Sequence, residues 1–257
     1  MDAAVGASGK WIDFHVHAKV SKRLPFSFEY FQWNLLQAKH AGLDAFVLTE
    51  HFHAPDFWGM YDHLRRHFAY ADGVFQVDDR LRILTGAELG MAERCDILLL
   101  GTLDQLGRLS LGLASSPTTG YKPPFVEARA VARRCGILMI GAHMFRSGKE
   151  LAHLGTANLR QLDALESNGK DFFHDTMIRE EADRLELPVI GGSDAHYWLQ
   201  VGIKSAILPV GEVTHATVTR AMAARQTRVR SLPYGPLAVQ VSRTYKRMLK
   251  AQSAPVS

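Results

Sequence analysis

The sequence predicts an α/β fold, a single compact barrel of mostly parallel strands, and three observations carry that expectation. Short apolar runs alternate with longer amphipathic stretches from Trp11 to about Pro209, the rhythm of repeated β/α units. No internal period, low-complexity tract or proline-rich linker divides the 257 residues, and 47% hydrophobic content is enough to fill one large core. The first β/α turn has no glycine-rich phosphate loop, which counts against an open dinucleotide-binding sheet.

The elements follow in order. "WIDFHVH" is the first strand, and its period of two places His15 and His17 on one face. "SFEYFQWNLLQAKHAG" is a helix in which Phe28, Phe31, Leu35 and Ala38 recur at helical spacing until Gly42 stops the run. "DAFVLTE" is a second strand, "WGMYDHLRRHFAYADGVF" reads as helical, and "RILTGAEL" and "DILLLG" are strands three and four. "PPFVEARAVARRCG" is helical, "GILMIGAH" and "DALESN" are strands, and the helix "HDTMIREEADRLEL" leads to the strands "LPVIGGSDAH" and "KSAILPV". "THATVTRAMAARQ" is a last helix, and the chain then runs through "RVRSLPYGPLAV" into a basic tail expected to fray past Lys250. The expected organisation is a flexible segment at 1–10, one barrel domain at 11–240 and the basic tail at 241–257.

The formal charge of +4 is mild, and its excess sits late, in residues such as Arg243, Lys246, Arg247 and Lys250. A solvated helix face explains that run better than a nucleic-acid groove, so nucleic acid is an unlikely partner and a small anionic substrate the expected one. Cys95 and Cys135 each adjoin an apolar run, as buried thiols in a reducing compartment would. The first ten residues lack the apolar stretch of a signal peptide, and no apolar run approaches the roughly 20 residues of a membrane span, so a cytoplasmic protein is expected. Oligomeric state is not legible.

The polar residues are the informative ones. They collect where the apolar runs end: His15 and His17, then Glu50 and His51 with His53 following, Glu88, His143, Glu166 with Asn168, and Asp194 with His196. In barrels of parallel strands chemistry sits at this end, because the loops there vary without disturbing the core. Any one of these residues alone reads as a hydrogen-bonded core group or a helix cap. Four or more histidines with several carboxylates at one mouth need a cation to offset their burial. Imidazoles and carboxylates without thiolates suit zinc, manganese or iron(II). A carboxylate such as Glu88 can bridge two cations about 3.5–4 Å apart, which clamps a phosphoryl group and generates a hydroxide nucleophile.

In order and spacing, "DFHVH", "AGLDAFVLTEH", "GAEL", "IGAH", "LESN" and "GGSDAH" resemble the motifs of the polymerase and histidinol phosphatase (PHP) family of metal-dependent phosphoesterases, from Ile12 to Gly202. The resemblance implies a distorted (β/α)7 TIM-like barrel with two or three divalent ions at its mouth. It implies His15, His17, Glu88 and Asp194 around the first ion, and Glu88, His143 and the residue that begins "DILLLG" around the second. Family members usually carry histidine at that last position; this chain has Asp96, a harder, more anionic ligand that shifts preference toward manganese or iron. The third site would use His51 and His196, but the segment "AKVSKRLPFSFEY" supplies none of the further Asp or His ligands the family shows there, so either the third ion is absent or weakly held or another residue such as His53 completes its site. Lys19 and Arg23 in that segment, with Lys22, and Arg146 after His143 are expected substrate-phosphate contacts. His196 or His51 would act as general acid for the leaving group.

The leading expectation is therefore a hydrolase of a small phosphomonoester or nucleotide that attacks with a metal-bound hydroxide. An amidohydrolase-type C–N hydrolase ranks below it, because no metal-bridging lysine late in a strand is evident. A non-catalytic metal-binding module is the third reading, supported by Asp96 and the altered third site. Phe52, Phe57, Trp58 and Tyr61 follow a metal ligand and would either stack on a substrate ring or cover the helix layer.

Overall fold

The computed structural model describes residues 9–21, 24–114 and 122–252. Along the chain run β1 (Lys10–Val16), α1 (Phe28–His40), β2 (Ala45–Leu48), α2 (Phe57–His67), β3 (Ala69–Ala71), β4 (Val74–Gln76), β5 (Arg82–Gly90), β6 (Asp96–Leu100), α3 (Leu103–Ala114) and α4 (Phe125–Cys135). They are followed by β7 (Leu138–Gly141), α5 (Thr156–Leu159), β8 (Ala164–Asn168), α6 (Asp175–Leu185), β9 (Val189–Gly192), β10 (Lys204–Leu208), α7 (His215–Ala223), β11 (Arg228–Ser231) and α8 (Gly235–Gln252).

The strands form one sheet in the order β11-β10-β1-β2-β5-β6-β7-β8-β9. It nearly closes on itself just beyond β9, where Ala195 N–H donates to His15 O at 3.2 Å and His17 N–H donates to Ala195 O at 2.8 Å. Alternation along the strands separates two cores. Ile12, Phe14, Val47, Leu84, Leu98, Ile140 and Ile190 pack inside the barrel, and Val218 and Met222 of α7 join the same cluster. Phe46, Leu48, Ile83, Leu99, Met139 and Leu165 point the other way, onto Phe31, Leu64, Leu106 and Ile178 of the helix layer. Phe52, Phe57 and Tyr61 are buried in that layer as well.

Two features of the sheet decide where polar side chains go. The first is a β-bulge in β1: Asp13 pairs with Phe46 and Val16 with Leu48, so three steps on one strand match two on the other. Simple alternation from Ile12 and Phe14 would turn His15 and His17 outward. The bulge reverses the parity, so Val16 joins the helix layer and both histidines face the mouth. The second is the direction of β6, which runs antiparallel to both β5 and β7. Its first residue, Asp96, lies opposite Gly90 at the end of β5, at the same rim as the C-terminal ends of the parallel strands.

The stretch read as one long helix after Trp58 divides. α2 stops at His67, and "AYADGVF" is the β3–β4 hairpin, which pairs with the edge of β5. Asp72 and Gly73 both hold positive φ, 51° and 81°, the requirement of a tight hairpin turn that an Asp-Gly pair meets best. Beyond β11, α8 continues helical to Gln252 and buries Ala238 and Val239 against Ile203; the segments 1–8 and 253–257 lie outside the described residues. Among the described residues no helix is long and apolar enough to cross a membrane.

α7 also holds a half-buried titratable group, His215. Thr214 caps the helix by accepting from Thr217 N–H, and His215 beside it lies 3.5 Å from Thr85 Oγ1. Burial lowers the His215 pKa from 6.5 to about 4. The imidazole stays neutral in the fold while the unfolded chain takes up a proton below pH 6.5, so stability is lost as pH falls from 6.5 toward 4, by about 3 kcal/mol at full extent. Urea midpoints measured across that range should fall less steeply for His215→Asn than for the wild-type protein.

Candidate metal centre

The seam that closes the barrel also assembles the mouth. Asp13, fully buried, accepts from His15 N–H at 3.1 Å, from Ser193 N–H at 2.9 Å and from Gly202 N–H at 2.8 Å. It thereby ties the end of β1 to the "GGSDAH" segment. The paired glycines of that segment allow close approach: a Cβ on Gly191 would lie 2.5 Å from Ser205 O, and one on Gly192 would lie 2.3 Å from Glu166 Oε1. Asp194 and His143, at the ends of their strands, hold φ of 51° and 32°. Left-handed backbone in non-glycine residues is strain of the kind that accumulates at functional sites.

Glu166 orients the first histidine. His15 Nδ1–H donates to Glu166 Oε1 at 2.8 Å, and the same carboxylate accepts from His143 N–H at 2.8 Å and from Asn168 Nδ2 at 2.9 Å. In the neutral imidazole this leaves Nε2 of His15 as a lone pair directed into the mouth, the usual work of a carboxylate behind a ligating imidazole. It meets Nε2 of His17 at 3.1 Å. Two ring nitrogens converging at that distance require a proton or a cation between them.

Glu88 occupies the centre. Its Oε1 lies 3.2 Å from His143 Nε2 and 3.9 Å from His15 Nε2, and its Oε2 lies 2.8 Å from His51 Nδ1 and 3.5 Å from His17 Nε2. Asp194 Oδ1 is 3.5 Å from His17 Nε2, and Asp96 Oδ2 is 3.5 Å from His143 Nε2. Three groups result, each with ligand atoms within 4.8 Å of one another: His15, His17 and Asp194; Glu88, Asp96 and His143; His17, His51 and His196. The structure thus brings together all eight residues that the sequence suggests as ligands.

The electrostatics match a site built for cations. Burial pushes the Glu88 carboxyl up, but hydrogen bonds from His143 and His51 and the charge of His15 outweigh it and hold it well below the carboxylate range. Asp194 is held low in the same way, burial being overcome by Lys170, Arg146 and His15. Burial lowers His17, yet hydrogen bonds to Asp194 and Glu50 raise it to about 9. The cluster keeps its carboxylates ionised and recruits positive charge wherever it can, and its imidazole and carboxylate donors fit divalent cations.

The predicted substrate contacts differ in placement. Arg146 is at the mouth, its Nη1 2.6 Å from Asp194 Oδ2 and its Nη2 2.9 Å from Asp171 Oδ2 and 3.0 Å from Asn168 Oδ1. Lys19 is 3% exposed and donates from Nζ to Pro55 O at 2.9 Å. Arg23 lies outside the described residues, as does Lys22. His53 belongs to none of the three groups. The sequence marks Glu50 as a strand-end acid without giving it a role; it accepts from Lys19 N–H at 3.2 Å and sits 3.6 Å from His17 Nδ1, its pKa lowered to about 2 because His17 and the other imidazoles outweigh burial. Sequence reasoning missed Lys170, 2.9 Å from Asp194 Oδ1, and Lys149, which donates to Asp96. Glu50 stands beside His51 in "TEH", a signal that was available; nothing in the sequence separates Lys149 or Lys170 from ordinary loop lysines.

Known proteins share this architecture. A family model described as PHP-associated matches residues 175–227. Among solved structures, PsfC from Pseudomonas syringae PB-5123 superposes with a TM-score of 0.75 at 26% identity, over 94% of this chain and 99% of that one. The lesion-specific endonuclease Q of Pyrococcus furiosus gives 0.65 at 22% identity, over 84% of this chain and 56% of its own. A two-domain protein from Bacteroides vulgatus ATCC 8482, containing a predicted PHP-like metal-dependent phosphoesterase, gives 0.59 at 17% identity, over 88% of this chain and 66% of its own. Among curated proteins none matches by sequence. The chain shares the distorted barrel of these proteins and gathers three groups of histidine and carboxylate side chains at its mouth. The likeness to PHP proteins is a match of residues 175–227 to the PHP-associated model together with a shared fold. One expectation is corrected here: the reading that sets nucleic acid aside fails, because endonuclease Q, a barrel of the same fold, holds a 27-mer duplex substrate with an abasic lesion at its active site.

Removing the group behind His15 should weaken the centre without unfolding the barrel. Glu166→Gln is expected to lower affinity for the first ion by roughly 10–100-fold, measured by titrating Mn2+ or Zn2+ into chelator-treated protein, with the thermal midpoint as a control for folding.

Proposed function

We propose that this protein is a metal-dependent phosphoesterase, a hydrolase acting on a phosphate ester. The observation that carries the reading is Glu88: one carboxylate in contact with four imidazoles, so that it can serve two adjoining cation positions at once. His15, His17 and Asp194 would hold a first divalent ion with Glu88, and His143 and Asp96 a second; His51 and His196, with His17 and the nearby Glu50, surround a third position. Zinc, manganese or iron bound there would supply a Lewis acid for the phosphoryl oxygens and lower the pKa of water.

The remaining steps belong to the chain. Arg146 and Lys170 converge on Asp194 and stand where the non-reacting oxygens of a phosphate would arrive, the guanidinium as a planar fork and the ammonium as a point charge. Glu88 and Asp194 stay ionised and orient the attacking water. Where no third ion occupies them, His196 and His51, with side chains 15% and 25% exposed at the mouth, would be the groups placed to pass a proton to the leaving oxygen.

A small phosphomonoester or nucleotide is one substrate class. A nucleic-acid strand is the other, supported by the likeness to endonuclease Q. A panel of phosphorylated metabolites and a duplex with an abasic site, each offered with Mn2+, Zn2+ or Fe2+, separates the two by which is turned over. Chelation should abolish turnover of a generic aryl phosphate and re-addition of metal should restore it; activity that survives both chelation and His17→Ala sinks the proposal. Arg146→Ala should raise KM about 10–100-fold with a smaller effect on kcat, read from steady-state kinetics, since it removes a charged contact made to ground state and transition state alike.

A further inference from the structure

One loop supplies a ligand and two of the cations that face the cluster. After β7 the backbone makes two successive turns, Arg146 N–H donating to His143 O and Lys149 N–H to Arg146 O, each at 2.9 Å. Gly148 between them takes a φ of 77°. At steps of three residues the loop delivers His143 to Glu88, Arg146 to Asp194 and Lys149 to Asp96.

The Lys149 contact falls on a particular atom. Asp96 Oδ2 is the oxygen 3.5 Å from His143 Nε2, the one that faces the second group of ligands. The same Oδ2 accepts from Lys149 Nζ. Asp96 is 7% exposed, so water contributes little to holding its charge, whereas the Lys149 side chain is 45% exposed. Asp194 also carries a lysine, Lys170. Its position, however, retains His15, His17 and the reach of Glu88. Among the described residues the second group consists of Glu88, Asp96 and His143, and Glu88 is already shared with His51. An ammonium on Asp96 leaves that position with a single unshared donor, His143.

Building on the metal centre proposed above, we propose that the Lys149 ammonium is the resident cation of the second position, and that a divalent ion enters there only by displacing it from Asp96. The full-length protein, stripped with chelator, reloaded with excess Mn2+ or Zn2+ and desalted, tests this by counting ions per chain with plasma mass spectrometry. Lys149→Gln should hold one ion more than the wild type, Lys149→Arg should match the wild type, and Asp96→Asn added to Lys149→Gln should remove the gained ion. In titration the last ion to bind Lys149→Gln should do so about tenfold or more tightly than in the wild type. Equal, non-zero counts in wild type and Lys149→Gln overturn the displacement and leave the metal centre standing. Counts of zero in every variant overturn both.

Discussion

The structure depends on the closure of the barrel at Asp13. This buried carboxylate takes three backbone N–H groups, from His15, Ser193 and Gly202, and so joins the first strand to the segment after the last parallel one. Burial raises its pKa to about 7, a measure of what the surroundings lose by enclosing it, and the three hydrogen bonds offset that loss only in part. With the seam made, His15 and His17 stand against Asp194. Without it the two halves of the first ligand set would belong to strands far apart in an open sheet.

Charge balance is the second constraint, and it follows from the first. Closing the barrel buries Glu88, Asp96, Asp194, Glu166 and Glu50 around one mouth. The chain answers with Arg146, Lys149 and Lys170, and with His17 held above its ordinary range. Internal cations thus face these carboxylates, and on the reading proposed above binding a metal would be an exchange of positive charge as much as the filling of a cavity. That is why the loop from His143 to Lys149 matters as much as the ligands: it sets how firmly each carboxylate is already engaged.

Much of this was legible in residue order. Apolar runs marked β1, β2, β5 to β10 and most of the helices, and polar residues at the run ends marked all eight proposed ligands. The β3–β4 hairpin was overlooked because Tyr70, Val74 and Phe75 continue a helical-looking pattern, although Asp72-Gly73 announces a turn. Glu50 was seen as a strand-end acid but not assigned, because one carboxylate beside a histidine is as often a cap. Lys149 and Lys170 had no local signal at all: a loop lysine in solvent and one on a buried aspartate look the same in one dimension.

The sequence by itself determined the alternating units, the histidines and carboxylates at the strand ends and the pairing of His15 with His17 on one face, because period and residue type are local properties. Tertiary structure decided which face. A bulge of one residue in β1 turns both histidines inward, the reversal of β6 carries Asp96 to the mouth, and the seam at Asp13 sets Asp194 beside them. Each of these depends on a partner strand distant in the chain, and register and direction exist only once the strands have paired.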